Sequence, residues 1–128
     1  MIKYLSIIVI VLSVLTNAQH TTPPAGKIIK GVVVDSVSSS LLPYANITLH
    51  NNSDSTFITG ASSGVDGEFV LNNLTDGDYY LKISFVGYNT KYISDIQLTK
   101  NKQQLDLGNI KLSKPLTSFQ KRRLLVKK

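Results

Sequence analysis

Apolar and polar residues alternate in short runs along most of this chain, and each run ends at turn-forming residues. The clearest run is residues 79–86 (YYLKISFV), where Tyr79, Leu81, Ile83 and Phe85 share one parity. A period of two marks a strand with one buried face. Asp66-Gly67 and Asp76-Gly77 each precede such a run; Asp bonds its own turn, and Gly takes positive φ without steric cost. The same reading predicts strands over 27–35, 44–50, 56–59, 68–71, 79–86, 90–98 and 104–112. In 44–50, Ala45, Ile47 and Leu49 oppose Asn46, Thr48 and His50. The strand 90–98 carries Tyr92, Ile96 and Leu98. In 104–112, Leu105 and Leu107 share one parity, and Ile110 and Leu112 the other. A bulge at Gly108 would restore a common face. Seven short strands without helical periodicity make an all-β, seven-stranded antiparallel Greek-key β-sandwich the expected fold. Phe69, Tyr79, Leu81, Ile83 and Phe85 are its expected central core. Gly31, inside a strand, is expected to admit close packing of the opposite sheet or a neighbouring ring, and the Tyr79 hydroxyl to find a partner at the sheet edge.

One stretch breaks the alternation. Residues 5–15 are apolar apart from Ser6 and Ser13, Lys3 precedes them, and Ala18 follows at a small-residue cleavage position. This is the anatomy of a secretory signal peptide, whereas a membrane-spanning helix needs roughly 20 apolar residues. Residues 1–18 are therefore expected to be removed on export, leaving Gln19 as the first residue. Residues 19–26 read as a linker, with Pro23-Pro24 favouring extended geometry. The sandwich is expected over 27–112, and a disordered basic tail over 113–128. The sequence contains no Cys, so disulfides and lipid attachment at a cysteine are both excluded.

The formal charge of +6 is unevenly placed. Residues 1–18 carry Lys3 alone, residues 19–120 carry eight Lys against eight Asp and Glu, and residues 121–128 (KRRLLVKK) carry five basic residues. The neutral body offers no basic face, and an exported chain does not ordinarily meet nucleic acid, so nucleic acid is not an expected partner. The tail reads as a solvated charge run that an acidic membrane would also attract.

Candidate chemistry is sparse. Gly60-Ala61-Ser62-Ser63-Gly64 matches the hydrolase string G-x-S-x-G. A nucleophile elbow needs a helix after the serine, and here a turn and another strand follow. His20 and His50 have no second His or Cys at ligand spacing, so zinc is not expected. Asp54, Asp66, Glu68, Asp76 and Asp78, with Asn72 and Asn73, gather near turns. They read as solvated turn residues, a weak calcium site being the alternative; their spacing is not that of an EF-hand. No catalytic, cofactor-binding or metal-binding residue is assigned, and no cofactor is expected. Tyr44, Tyr80, Tyr88 and Tyr92 would form a stacking surface if they proved exposed together. Asn46, Asn51 and Asn73 begin glycosylation strings, which mean little if the host is bacterial.

Six motifs follow one another in order: Ile29-x-Gly31-x-Val33-x-Asp35, Leu42-Pro43-Tyr44-Ala45-Asn46-Ile47-x-Leu49, Gly64-x-Asp66-Gly67-Glu68-Phe69, Leu74-x-x-Gly77-x-Tyr79-x-Leu81, Val86-Gly87-Tyr88, and Leu107-Gly108-Asn109-Ile110-x-Leu112. In this order and spacing the chain resembles the carboxypeptidase regulatory-like domain, a transthyretin-like (prealbumin-like) sandwich. It is similar above all to the copy at the N-terminus of TonB-dependent outer-membrane receptors of Bacteroidetes type. There the module precedes a plug and a large β-barrel, whereas here residues 113–128 are basic.

The resemblance implies a non-catalytic, exported accessory module of such a receptor system, expected as a truncated or solitary copy. It places the chain in the periplasm or outer membrane of a Gram-negative bacterium, with a receptor barrel or other outer-membrane proteins as partners. The alternative is a small secreted carbohydrate- or protein-binding domain, with glycans as partners. An enzyme of the related hydroxyisourate hydrolase kind would need a basic, His-containing cleft, and residues 27–112 hold one His and no Arg.

Overall fold

The computed structural model describes residues 26–126. The expected signal peptide and all but the last residue of the linker lie outside this range. Seven strands follow in order: β1 (Lys27–Asp35), β2 (Asn46–Asn51), β3 (Phe57–Ser62), β4 (Glu68–Leu74), β5 (Gly77–Ser84), β6 (Lys91–Leu98) and β7 (Gln104–Leu112). They form a three-stranded sheet of order β4-β1-β7 and a four-stranded sheet of order β3-β2-β5-β6. The β-branched run Val32-Val33-Val34 lies in β1, the central strand of the smaller sheet.

The sandwich stands as expected, with one pair of different sense. β1 and β7 run parallel, in the register Val33↔Ile110 and Asp35↔Leu112. Each successive strand reverses direction, so β7 points the same way as β1. Setting them side by side in one sheet makes that pair parallel. Every other pair is antiparallel.

The core is the space between the sheets. Ile29, Val33, Ile47, Leu49, Phe69, Leu71, Tyr79, Leu81, Ile83, Ile96, Leu98, Ile110 and Leu112 are buried there. The bulge read at Gly108 is present. Gly108 has φ 62°, and the register slips between Lys30↔Asp106 and Val32↔Asn109. Its N–H donates to the Asp106 carboxylate at 2.9 Å, and beyond it Ile110 and Leu112 turn inward. Gly31 pairs with Phe69, and a Cβ there would lie 2.9 Å from the Phe69 ring. The Tyr79 hydroxyl donates to the Thr75 carbonyl at 3.0 Å, closing the β4–β5 turn.

One core expectation is corrected. Phe85 is only half-buried, because β5 ends at Ser84 and Phe85 enters the turn closed by Tyr88 N–H to its carbonyl. Tyr92 faces outward and is 60 % exposed. The register shifts between Tyr79↔Ile96 and Leu81↔Ile93, with Asp95 at φ 60°, so Ile93 takes the inward place. Strand β2 also starts later than expected, since Tyr44 sits at φ 63° and its N–H bonds to Ser63 O across the loop.

Within the tail, Ser118–Val126 forms a helix, α1, where disorder was expected. Its local cause is a capping box. The Gln120 N–H donates to Thr117 Oγ1 at 3.3 Å, and the Thr117 N–H to Gln120 Oε1 at 3.0 Å. None of its residues is buried. Removing residues 114–128 is therefore expected to shift the denaturant midpoint of the sandwich hardly at all. A loss comparable to that of a core truncation would place the helix in the fold.

Candidate functional site

Three polar residues of the motifs, Asp35, Tyr79 and Tyr88, tie parts of the sandwich together. Asp35, at the end of β1, is buried and accepts four hydrogen bonds. They come from the Val37 N–H (2.8 Å), the Ser38 N–H (2.8 Å), the Ser38 hydroxyl (3.1 Å) and the Tyr88 hydroxyl (2.8 Å). The Ser38 N–H, the Tyr88 hydroxyl and the Val37 N–H hold its carboxyl well below the usual carboxylate range. The same bond raises the Tyr88 hydroxyl above its ordinary value, helped by desolvation and by the Asp35 charge. Asp35 and Tyr88 belong to different motifs, 53 residues apart.

A lowered native pKa stabilises the fold above the unfolded value near 4 and loses that effect as pH falls through the native value. The advantage of wild type over Asp35→Asn is therefore expected to be full at neutral pH and to shrink steadily below about pH 4. Thermal melts of both proteins across that range read it. Asp54 is also lowered, by the Thr56 hydroxyl and N–H, but both proteins share it.

The two adjacent serines of the G-x-S-x-G string play unlike parts. Ser62 is exposed at the end of β3, and the turn 64–67 leads into β4 rather than a helix. Ser63 is 1 % exposed. Its hydroxyl donates to Leu42 O at 2.7 Å and accepts from the Ala45 N–H at 2.8 Å, pinning the 42–45 loop to β3. The carboxylates divide between the ends of the sandwich: Asp54, Asp76 and Asp78 at one, Asp66 and Glu68 at the other. Asp76 meets the Lys27 ammonium at 3.0 Å, and that ammonium also donates to Thr99 O at 2.6 Å. Among the described residues, no three His, Cys, Asp or Glu are placed to hold a metal ion.

The four tyrosines do not form one surface. Tyr88 is tied to Asp35 and packs on Phe85, with ring centroids 5.5 Å apart. Tyr44 projects from the 36–45 loop. Tyr80 and Tyr92 do come together on the outer face of the four-stranded sheet, at 6.4 Å. There His50 stacks on Tyr80 at 5.1 Å and 10°, and Phe57 meets His50 edge-on at 5.8 Å. An aromatic row thus crosses all four strands: Phe57 on β3, His50 on β2, Tyr80 on β5 and Tyr92 on β6. Its two ends, Phe57 and Tyr92, are the most exposed. The His50 ring is fixed by Thr48 Oγ1 at 3.0 Å and lies within 3.3 Å of Ser55 O. Sequence reasoning missed His50 and Phe57 in this role. His50 was legible as outward-facing from its parity with Thr48. Phe57 was hidden by the register shift between Leu49↔Thr59 and His50↔Phe57. Such a row offers ring faces and edges to a flat or extended ligand.

These features define a seven-stranded β-sandwich module. The major pilin subunit BcpA of Bacillus cereus is similar over 70 % of this chain and 30 % of its own, with 20 % identity and a TM-score of 0.55. The Bacillus anthracis TIE protein is similar over 67 % of this chain and 16 % of its own, with 20 % identity and a TM-score of 0.52. A streptococcal ancillary pilin matches over 73 % and 30 %, with 19 % identity and a TM-score of 0.51. The chain spans less than a third of the length of these solved chains, and the likeness is one of fold. No curated protein matches it. The sequence model of the carboxypeptidase regulatory-like domain matches residues 28–113, and the chain belongs to that family.

Proposed function

We propose that the chain is a non-catalytic, exported accessory module of a TonB-dependent outer-membrane receptor system. The observation that carries the reading is the use to which the motifs are put. Gly31 seats Phe69, Asp35 ties Tyr88, Gly67 turns the chain into β4, and Tyr79 closes a turn onto Thr75. These four motif residues serve the scaffold rather than a reacting centre. Export to the periplasm or outer membrane rests on the apolar run 5–15 and Ala18. Among the described residues, no helix is long and apolar enough to cross a membrane. The test is to translate the DNA flanking the coding region in all frames. Plug and barrel sequence close by supports the reading, and its absence over several hundred codons sinks it.

A second reading, a secreted carbohydrate- or protein-binding domain, is favoured by one observation. The row Phe57–His50–Tyr80–Tyr92 stands on an outer sheet face with its ends in solvent. Affinity electrophoresis against neutral polysaccharides decides it. Retardation that Tyr92→Ala abolishes supports this reading, and unretarded migration on all of them rejects it for glycans.

A further inference from the structure

The two ends of the sandwich differ in kind. At one end lie the connections 52–56, 75–76 and 99–103, built of Asn, Ser, Asp, Thr, Lys and Gln alone. At the other lie 36–45, 63–67, 85–90 and the segment that leaves β7. Here each loop raises an exposed apolar side chain: Val37 (92 %), Tyr44 (70 %), Val65 (71 %) and Val86 (92 %). Tyr44 does so from the left-handed region, uncommon for a bulky residue.

The basic tail belongs to this same end. The Asn89 N–H donates to Ser113 O at 2.8 Å, and the Lys114 ammonium sits 5.4 Å from the centre of the Tyr88 ring. Residues 36–38 share a groove with Leu116, Thr117 and Gln120. Residues 113–126 hold four Lys and Arg and no Asp or Glu, whereas residues 26–112 hold seven Lys against eight acids. Lys91 and Lys111 stand beside them, with the Lys91 ammonium on the Lys111 carbonyl at 3.3 Å. At this end Lys91, Lys111, Lys114, Lys121, Arg122 and Arg123 stand against Asp35, Asp66 and Glu68, so its balance is positive where the apolar loop tips are.

We propose that this end docks on an anionic lipid surface, with the loop tips entering the headgroup boundary and the tail cations meeting lipid phosphates. The occupant follows from charge and from the shape of the apolar surface. The excess is positive, and anionic headgroups complement it. The apolar residues are points on separate loops, set among Ser36, Ser38, Ser39, Ser40 and Asn89 with the carboxylates Asp66 and Glu68 at the same end, rather than one packed patch. A protein partner would ask for a contiguous apolar centre, while an interface of lipid and water takes isolated apolar tips flanked by cations. Phe119, Leu124, Leu125 and Val126 of α1 are all exposed and spread around the helix. The helix therefore contributes charge and scattered contacts, and the loops contribute insertion.

The exported chain, co-sedimented with vesicles at near-physiological salt, tests this. Phosphatidylcholine vesicles carrying phosphatidylglycerol are expected to bind it, and phosphatidylcholine alone to leave it in solution. Changing Lys121, Arg122 and Arg123 together to Gln is expected to lower partitioning about a hundredfold, at roughly fivefold per cation. Val37→Asp with Val86→Asp is expected to lower it at least about tenfold while the melt stays unchanged, since both side chains lie in solvent. The proposal is overturned by equal binding to both vesicle types, by no sedimentation with the anionic ones, or by full binding in either variant. Competition by a DNA duplex as effective as competition by anionic vesicles overturns it too, in favour of a general polyanion site.

Discussion

Phe69→Ala is expected to remove about 3–5 kcal/mol of stability, a large share of the roughly 5–15 kcal/mol typical of a domain. Phe69 is 2 % exposed and fills the space opened by Gly31, its partner across the β1–β4 ladder. Truncation removes the ring from both sheets at once. The cavity cannot be refilled from Gly31, which has no side chain to lend. Phe85→Ala serves as the measure of an outer aromatic. It is half-buried beyond the end of β5, so the expected loss is about 1–2 kcal/mol. Denaturant melts with a common m-value rank the two. A Phe85 variant that proves the weaker protein would mean that the core is centred elsewhere.

Ser63→Ala carries the second largest effect expected of a single change, about 2–4 kcal/mol. The hydroxyl is buried between the Leu42 carbonyl and the Ala45 N–H, and its loss leaves both backbone groups without a partner. Those groups hold the loop that carries Leu42 and Ala45 into the core. Ser62→Ala, one residue away and exposed, is expected to stay within about 0.5 kcal/mol of wild type. Paired thermal melts separate the two. Equal effects at both serines would contradict the structural role given to Ser63.

Local features of the fold were legible, and pairings across the fold were not. Alternation located all seven strands because a half-buried strand writes its period of two into the sequence. Gly108 announced its bulge because the parity of Leu105 and Leu107 conflicts with that of Ile110 and Leu112. The bulge at Asp95 left no comparable mark, since Asp at positive φ resembles any exposed polar residue. The parallel sense of β1 and β7 depends on which strands become neighbours, which no local pattern records. The Asp35–Tyr88 bond is of the same kind, joining two motifs whose separate residues suggest nothing of each other. The helix Ser118–Val126 was legible in Thr117-x-x-Gln120, a capping-box string, but the run of cations that follows drew the reading toward a solvated tail. The aromatic row was half legible: Tyr80 and Tyr92 were marked as stacking residues from the sequence, while His50 and Phe57 joined them only through the register of β2 with its two neighbours.

The account rests on a closed scaffold in which the motif residues bind the first strand to the last and the loops to both. Nuclear Overhauser contacts across the β1–β7 pair in the exported chain test it most directly. The structure predicts Cα-proton and amide contacts in parallel register, Val33 with Ile110 and Asp35 with Leu112, together with slow amide exchange along β1 as the central strand of its sheet. Antiparallel contacts between these strands, or fast exchange along residues 29–34, would contradict it.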